Sequence, residues 1–191
     1  EPMPKLTPET LDRMRDEHRE PREWIKVGMS TSGRAAGAEA VYEALVRGVQ
    51  ARGLDLPVRQ TGSMGNCSDE PLVEMQVEDV PRTMYGPIDA DTVEWLLDSH
   101  VIARRVVEKF RVPGFDELVR PEDDPPARGD PASKSHRQYR IVLRNCGVID
   151  PENIEDYIAA EGYQGLKRCL TEMSPEEVIE VIEASGLRGR G

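Results

Sequence analysis

The chain has 191 residues, of which 25 are Lys or Arg and 36 are Asp or Glu, so its formal net charge is −11. A chain this acidic is a poor general ligand for nucleic acids or anionic membranes, and it carries no apolar run near the roughly 20 residues that cross a bilayer. Its three cysteines, Cys67, Cys146 and Cys169, are scattered and odd in number, which disfavours a disulfide framework and indicates a reducing compartment, the cytoplasm by default.

Residues 1–21 are predicted to form a charged helical arm. Thr7-Pro8-Glu9 is a typical helix start, and only Leu6, Leu11 and Met14 are available for burial. We expect this arm to lie on a partner or on the body of the protein.

Residues 22–112 are predicted to form a small α/β domain. Apolar runs indicate strands at 24–29, 57–60, 72–77 and 83–85, with loops at 30–37 and 61–71. One helix is expected over 38–52, and a closing helix capped by Asp89 carries Val93, Leu96, Leu97, Val101 and Ile102. A right-handed crossover makes the first two strands parallel. A βαβ unit followed by a hairpin and a last helix is the thioredoxin-like arrangement.

The second loop carries a recognisable sequence. Residues 62–71 read GSMGNCSDEP, and Tyr85-Gly86 and a helix ending at His100 follow at suitable distances. This combination is similar to the thioredoxin-like two-iron ferredoxin domains, such as the 24 kDa subunit of complex I. In hydrogenases and electron-bifurcating enzymes, such a module is often fused in front of a flavoprotein subunit.

The cysteines that the resemblance would require are missing. A two-iron cluster takes four soft ligands, usually thiolates, whereas the corresponding positions hold Val27, Ser32, Ser63 and Cys67. We therefore predict that this domain binds no metal and that Cys67 is a buried or half-buried loop residue. His100 is interpreted as a partner of the carbonyl dipoles at its helix end.

Residues 113–138 are predicted to be a linker. Residues 121–131 read PEDDPPARGDP, which contains four prolines and no apolar side chain of appreciable size. Such a composition favours an extended connector between two domains.

Residues 139–191 are predicted to form a short strand and three helices. Ile141-Val142-Leu143 suits a buried strand, and Asp150 with Pro151 would begin a helix that stops at Gly162. A second helix over 163–170 would pack Leu166, Cys169 and Leu170.

The third helix has the clearest start signal. Ser174 and Glu177 are spaced as a capping box, in which each side chain satisfies a backbone N–H that the helix end leaves free. An apolar stripe follows, formed by Val178, Ile179, Val181 and Ile182. Gly186 stands where a left-handed C-cap is expected.

A glycine–arginine run, GLRGRG over 186–191, follows this helix. Glycines let a backbone approach a phosphate closely and arginines neutralise it, so a flavin or nucleotide phosphate is one reading of the run. A basic surface tail is the other, because isolated glycine-rich runs are weak motifs.

Four blocks in order connect this region to a known family: RNCGVIDP (144–151), AEGY (160–163), LTEMSPEEVI (170–179) and SGLRGRG (185–191). Together they resemble the start of the flavin-bearing, NADH-oxidising subunits of complex I (the 51 kDa subunit), NAD-linked hydrogenases, formate dehydrogenases and bifurcating enzymes. The resemblance implies that residues 139–191 begin an FMN- and NADH-binding domain. Gly189, Arg190 and Gly191 would then be the first three residues of a loop that wraps the FMN and NADH phosphates.

The same resemblance implies that the rest of the loop, the nucleotide domain and the cysteines of a 4Fe-4S cluster lie beyond Gly191. Residues 1–191 alone are therefore expected to bind none of these cofactors and to be inactive. A chain that starts at Glu1 without an initiator Met is also expected to have lost residues at its front.

Two functions follow from the sequence. The first is the front of an NAD(P)H-oxidising flavoprotein subunit of a multi-subunit electron-transfer oxidoreductase, with an iron–sulfur subunit among its partners. The alternative is a non-catalytic docking or assembly module of such a complex. The sequence identifies no catalytic residue, and it leaves open the electron acceptor, the choice between NADH and NADPH, and whether the polypeptide ends at Gly191.

Overall fold

The computed structural model describes residues 6–19, 21–113 and 142–189. They group into two compact units, a larger one of residues 21–113 with 142–152 and a smaller one of residues 6–19 with 153–189. The proposed linker, apart from Pro113, lies outside the described residues, as do Ile141, Arg190 and Gly191. The four-segment division of the chain made from the sequence stays a prediction.

The larger unit is built on a four-stranded sheet with the order β2-β1-β3-β4. Its strands are β1 (Trp24–Gly28), β2 (Val58–Thr61), β3 (Val73–Val77) and β4 (Val80–Tyr85). β1 pairs with β2 in parallel, and β3 pairs antiparallel with both β1 and β4. The predicted α/β class, with its βαβ unit and hairpin, is confirmed.

Helices α2 (Thr31–Ala35) and α3 (Ala38–Ala51) connect the two parallel strands. Helix α4 (Val93–Leu96) follows the hairpin and continues as a π-helix over Leu97–Ile102. The expectation of an irregular loop over 30–37 is wrong, because Ser30 caps a short helix there by accepting a hydrogen bond from the Gly33 N–H at 3.1 Å.

The core of the larger unit lies between the sheet and helices α3 and α4. Side chains alternate along each strand, and Ile25 and Val27 point into this core, where both are fully buried. The cluster also contains Val41, Leu45, Met75, Tyr85, Val93, Leu96 and Leu97. A second, smaller apolar cluster consists of Met64, Leu72, Met84 and Val112.

The smaller unit contains four helices: α1 (Pro8–Glu17), α5 (Ile154–Ala159), α6 (Gln164–Glu172) and α7 (Pro175–Ala184). Helix α1 packs on α5 and buries Leu11, while Ile158 of α5 is fully buried. Lys167 of α6 donates to the Asp12 carboxylate, and this hydrogen bond lowers the pKa of that carboxyl group. The charged N-terminal helix is thus seated on helices of its own chain.

Two expectations for residues 142–162 are wrong. Val142 and Leu143 lie in an exposed turn instead of a buried strand, because so short an apolar run can occur in either setting. The first helix begins at Ile154, capped by Asn153, whose side chain accepts from the Glu155 N–H. Asp150 instead accepts from the Glu152 N–H in the preceding turn.

The capping box of α7 is confirmed, since Ser174 and Glu177 each accept the other's backbone N–H. Gly186 has φ of +65°, as expected for a left-handed C-cap. The predicted packing of Leu166 and Leu170 is wrong, because their side chains are 53% and 76% exposed. The apolar stripe of α7 is similarly exposed at Ile179, Val181 and Ile182.

Among the helices that the structure describes, none has the length and apolar character needed to cross a membrane.

Candidate functional site

The two loops that hold a metal cluster in two-iron ferredoxins meet at one end of the sheet. Ser32 donates a weak hydrogen bond to the Cys67 sulfur, with 3.6 Å between Oγ and Sγ. Ser30 donates to Glu70 Oε1 at 2.9 Å, and Glu70 Oε2 is buried without a partner among the described residues. The meeting point is therefore a small network of hydroxyls, one thiol and one carboxylate.

This donor set does not fit a two-iron cluster. Val27 is fully buried in the apolar core and has no donor atom, and the Ser63 hydroxyl accepts from the Gly65 N–H of its own loop. Cys67 is exposed, not buried or half-buried as expected. Within the described ranges, no group of three or more His, Cys, Asp or Glu side chains could hold a metal ion.

The glycine–arginine run is only partly described. Gly186, Leu187, Arg188 and Gly189 lie on the surface after α7, and a Cβ built on Gly189 would have no heavy atom within 4 Å. The backbone at Gly189 is therefore open to a ligand. Arg190 and Gly191, the other two residues assigned to the phosphate loop, fall outside the description, so that assignment stays a prediction.

One face of the sheet carries buried charges that sequence reasoning missed. Lys26 and Glu74 are register partners on β1 and β3, and each is 2% exposed. Glu74 accepts from Arg82 of β4, and the Lys26 ammonium lies 4.3 Å from the centroid of the Trp24 ring. A lysine inside an apolar strand was the available signal, because Lys is seldom buried without partners.

The turn at 147–152 lies against this same part of the larger unit. Lys26 Nζ donates to the backbone oxygen of Val148 at 2.8 Å. The side chain of Glu152 lies 3.7 Å from Arg34 Nη2 and accepts from Gln60 Nε2 at 3.5 Å. The turn is therefore held from β1, α2 and β2.

His100 differs from its interpretation as a partner of helix carbonyl dipoles. Its ring is fully buried, and its Nδ1 lies 2.5 Å from the Tyr85 hydroxyl. Burial and the nearby Arg104 guanidinium lower the pKa of His100 to about 4. The side chain is part of the core of the larger unit.

Part of this chain is similar to subunits of known oxidoreductases. It is 60% identical over 55 residues to the NADP-reducing hydrogenase subunit HndC of Solidesulfovibrio fructosivorans, covering 29% of this chain and 11% of that protein. It is 41% identical over 51 residues to an F-type NADH-quinone oxidoreductase subunit of Rhizobium meliloti, covering 27% and 12%. The F-type subunit of the Escherichia coli NADH-quinone oxidoreductase is 37% identical over 41 residues, covering 22% and 9%.

The chain therefore spans about a tenth of the length of the curated relatives it matches. No protein-family model matches it. Among solved structures, the wild-type thioredoxin-like [2Fe-2S] ferredoxin from Aquifex aeolicus matches with a TM-score of 0.43 and 18% identity, over 49% of this chain and 98% of that one. The resemblance to these oxidoreductase subunits that was predicted from the sequence motifs is confirmed.

Proposed function

We propose that these residues form the N-terminal part of an NAD(P)H-oxidising, FMN-binding subunit of a multi-subunit oxidoreductase in the cytoplasm. The observation that carries the proposal is the 60% identity over 55 residues to a hydrogenase subunit described as NADP-reducing. Similarity to subunits of several NADH-quinone oxidoreductases supports the same class. An iron–sulfur subunit is the expected partner.

FMN in such a subunit accepts a hydride from the nicotinamide and releases electrons singly to iron–sulfur centres. The chain's own contribution would be to bind phosphate at the end of α7. Gly189 leaves its backbone open to a close approach. Arg190 would supply a planar guanidinium, which makes strong charge-assisted hydrogen bonds to phosphate oxygens.

The test is Arg190→Ala in the complete subunit. Losing one charge-assisted contact costs about 1.5–3 kcal/mol, so FMN or NADH binding should weaken by roughly ten- to a hundredfold. The fold should persist because the residue belongs to a loop. The measurements are the flavin content of the purified protein and the Michaelis constant for NADH.

Arg188→Ala is the matched control. Arg188 is exposed and close to the C-terminal end of α7, where a cation complements the helix dipole and stabilises by about 0.3–1 kcal/mol. We expect normal flavin content and a normal Michaelis constant for this variant. The assignment of the loop is wrong if both variants match the parent.

A second function, docking, is favoured by the contacts of the larger unit. The unit has the fold of a ferredoxin module but lacks the ligands of a cluster, and it holds the turn at 147–152 from three elements. Docking and catalysis are compatible in one protein. A complete protein that assembles with its partners but binds no flavin would leave docking as the sole role.

A further inference from the structure

The turn at 147–152 begins at Gly147, which lies against the second loop of the larger unit. A Cβ built on Gly147 would be 3.5 Å from Met64 Cα and 3.6 Å from the Ser63 backbone oxygen. Its φ of +79° is a conformation that side-chain-bearing residues seldom adopt. Glycine therefore permits both the direction of the turn and its close seating on residues 63–64.

The central contact is the hydrogen bond from Lys26 to Val148. An ammonium group that is withdrawn from water needs hydrogen-bond acceptors, and the Val148 carbonyl is one of them at 2.8 Å. Because the acceptor belongs to the backbone, this contact depends on the conformation of the turn and not on the side chain at position 148.

The remaining contacts lie at the rim. Glu152 faces Arg34 and Gln60, and the carboxylate and guanidinium are both well exposed to solvent. Exposed ion pairs of this kind add little binding free energy. They orient the acidic end of the turn toward the basic side of the unit.

We propose that Lys26, Arg34, Gln60, Ser63 and Met64 form a docking face whose ligand is the chain's own turn at 147–152, and that Lys26 is its main positioning residue. Holding this turn is the task of the cluster-free unit. The turn overlaps the RNCGVIDP block, so its meaning as the start of a flavoprotein segment rests on the proposed function. The docking itself does not, and its test involves neither flavin nor NADH.

The experiment is amide hydrogen exchange on the 191-residue chain, resolved by residue with NMR. The reporters are the Val148 and Ile149 amides, which both donate to the Asn145 backbone oxygen at the start of the turn. Lys26→Met removes the donor and keeps the long apolar stem. It should speed exchange of these two amides about tenfold or more, while the Ile25 amide of β1 keeps its protection.

Two further variants make the test specific. Arg47→Met alters an exposed ion pair with Glu43 on α3 and should leave the turn amides unchanged. Gly147→Ala disturbs the same contact from the side of the turn and should speed the same amides. In that background Lys26→Met should add little, because both changes act on one contact.

The proposal is overturned if neither Lys26→Met nor Gly147→Ala speeds exchange in the turn. It is also overturned if their effects are additive, or if the turn amides exchange in step with Ile25, since that would indicate opening of the whole unit. Should Lys26→Met fail to fold, the Gly147→Ala result decides alone.

Discussion

At the scale of single residues, the buried pair of Tyr85 and His100 links the core to pH. The Tyr85 hydroxyl accepts from the Val107 N–H at 3.2 Å, so its own proton is available for His100 Nδ1. His100 then carries its proton on Nε2, which has no partner among the described residues. A second ring proton would oppose the Tyr85 O–H and place a charge in the core.

This arrangement predicts acid sensitivity. The pKa of His100 is about 4 in the folded chain, against about 6.5 for an unperturbed histidine. A depressed folded-state pKa contributes stability that is complete above pH 6.5 and is lost as the pH falls toward 4. The free energy of unfolding should decrease by up to about 3 kcal/mol over that range.

The measurement is denaturant unfolding at several pH values, followed by tryptophan fluorescence. Trp24 and Trp95, the chain's two tryptophans, both belong to the larger unit. His100→Asn keeps an acceptor for Tyr85 without titrating, and it should flatten the pH dependence between 6.5 and 4. His18→Gln, in α1's C-terminal flank, should not. Equal slopes in all three proteins would contradict the role given to His100.

At the scale of elements, the strands were predictable because each is an apolar run bounded by turn residues. Helix α2 was not, because its sequence TSGRA has low helix propensity. Its formation depends on tertiary contact. A Cβ built on Gly33 would lie 2.4 Å from the backbone oxygen of Gly28, so α2 reaches the end of β1 only with glycine at this position.

Gly33→Ala is therefore expected to destabilise the larger unit by about 1–3 kcal/mol, the usual cost of forcing an extra carbon into a packed site. Denaturant unfolding with the same fluorescence signal measures it. Gly62→Ala is the control, since nothing lies within 4 Å of its Cβ position and its φ is not positive. We expect Gly62→Ala to stay within about 0.5 kcal/mol of the parent, and a neutral Gly33→Ala would show that α2 packs differently.

The helices of the smaller unit show both sides of sequence-based prediction. The start of α7 was predictable because a capping box is a local device that involves only Ser174 to Glu177. The partner of α1 was not, because Asp12 meets Lys167 from 155 positions away in the sequence. Nor could spacing alone reveal that Leu166 and Leu170 are exposed, since an apolar stripe does not say what covers it.

At the scale of the whole molecule, the chain order of the two units is informative. Residues 6–19 belong with residues 153–189, while residues 21–113 and 142–152 form the larger unit between them in sequence. Long-range contacts of this kind leave no periodic signal. The sequence therefore predicted a helical arm but not the helices on which it rests.

The candidate site was predictable only where it depends on residue type. The absence of cluster ligands in the two loops followed from counting donor atoms at Val27, Ser32, Ser63 and Cys67. The docking face did not follow, because it requires knowing that Lys26 and Val148 meet across 122 positions. The phosphate role of Gly189, Arg190 and Gly191 stays a prediction from family resemblance.

The central claim, that this chain belongs to an NAD(P)H-oxidising flavoprotein, is tested most directly by anaerobic reduction of the complete protein. The purified protein should contain about one FMN per chain, and adding NADH or NADPH should bleach the flavin absorbance. A complete protein that carries no flavin, or whose flavin is reduced by neither nucleotide, would contradict the account.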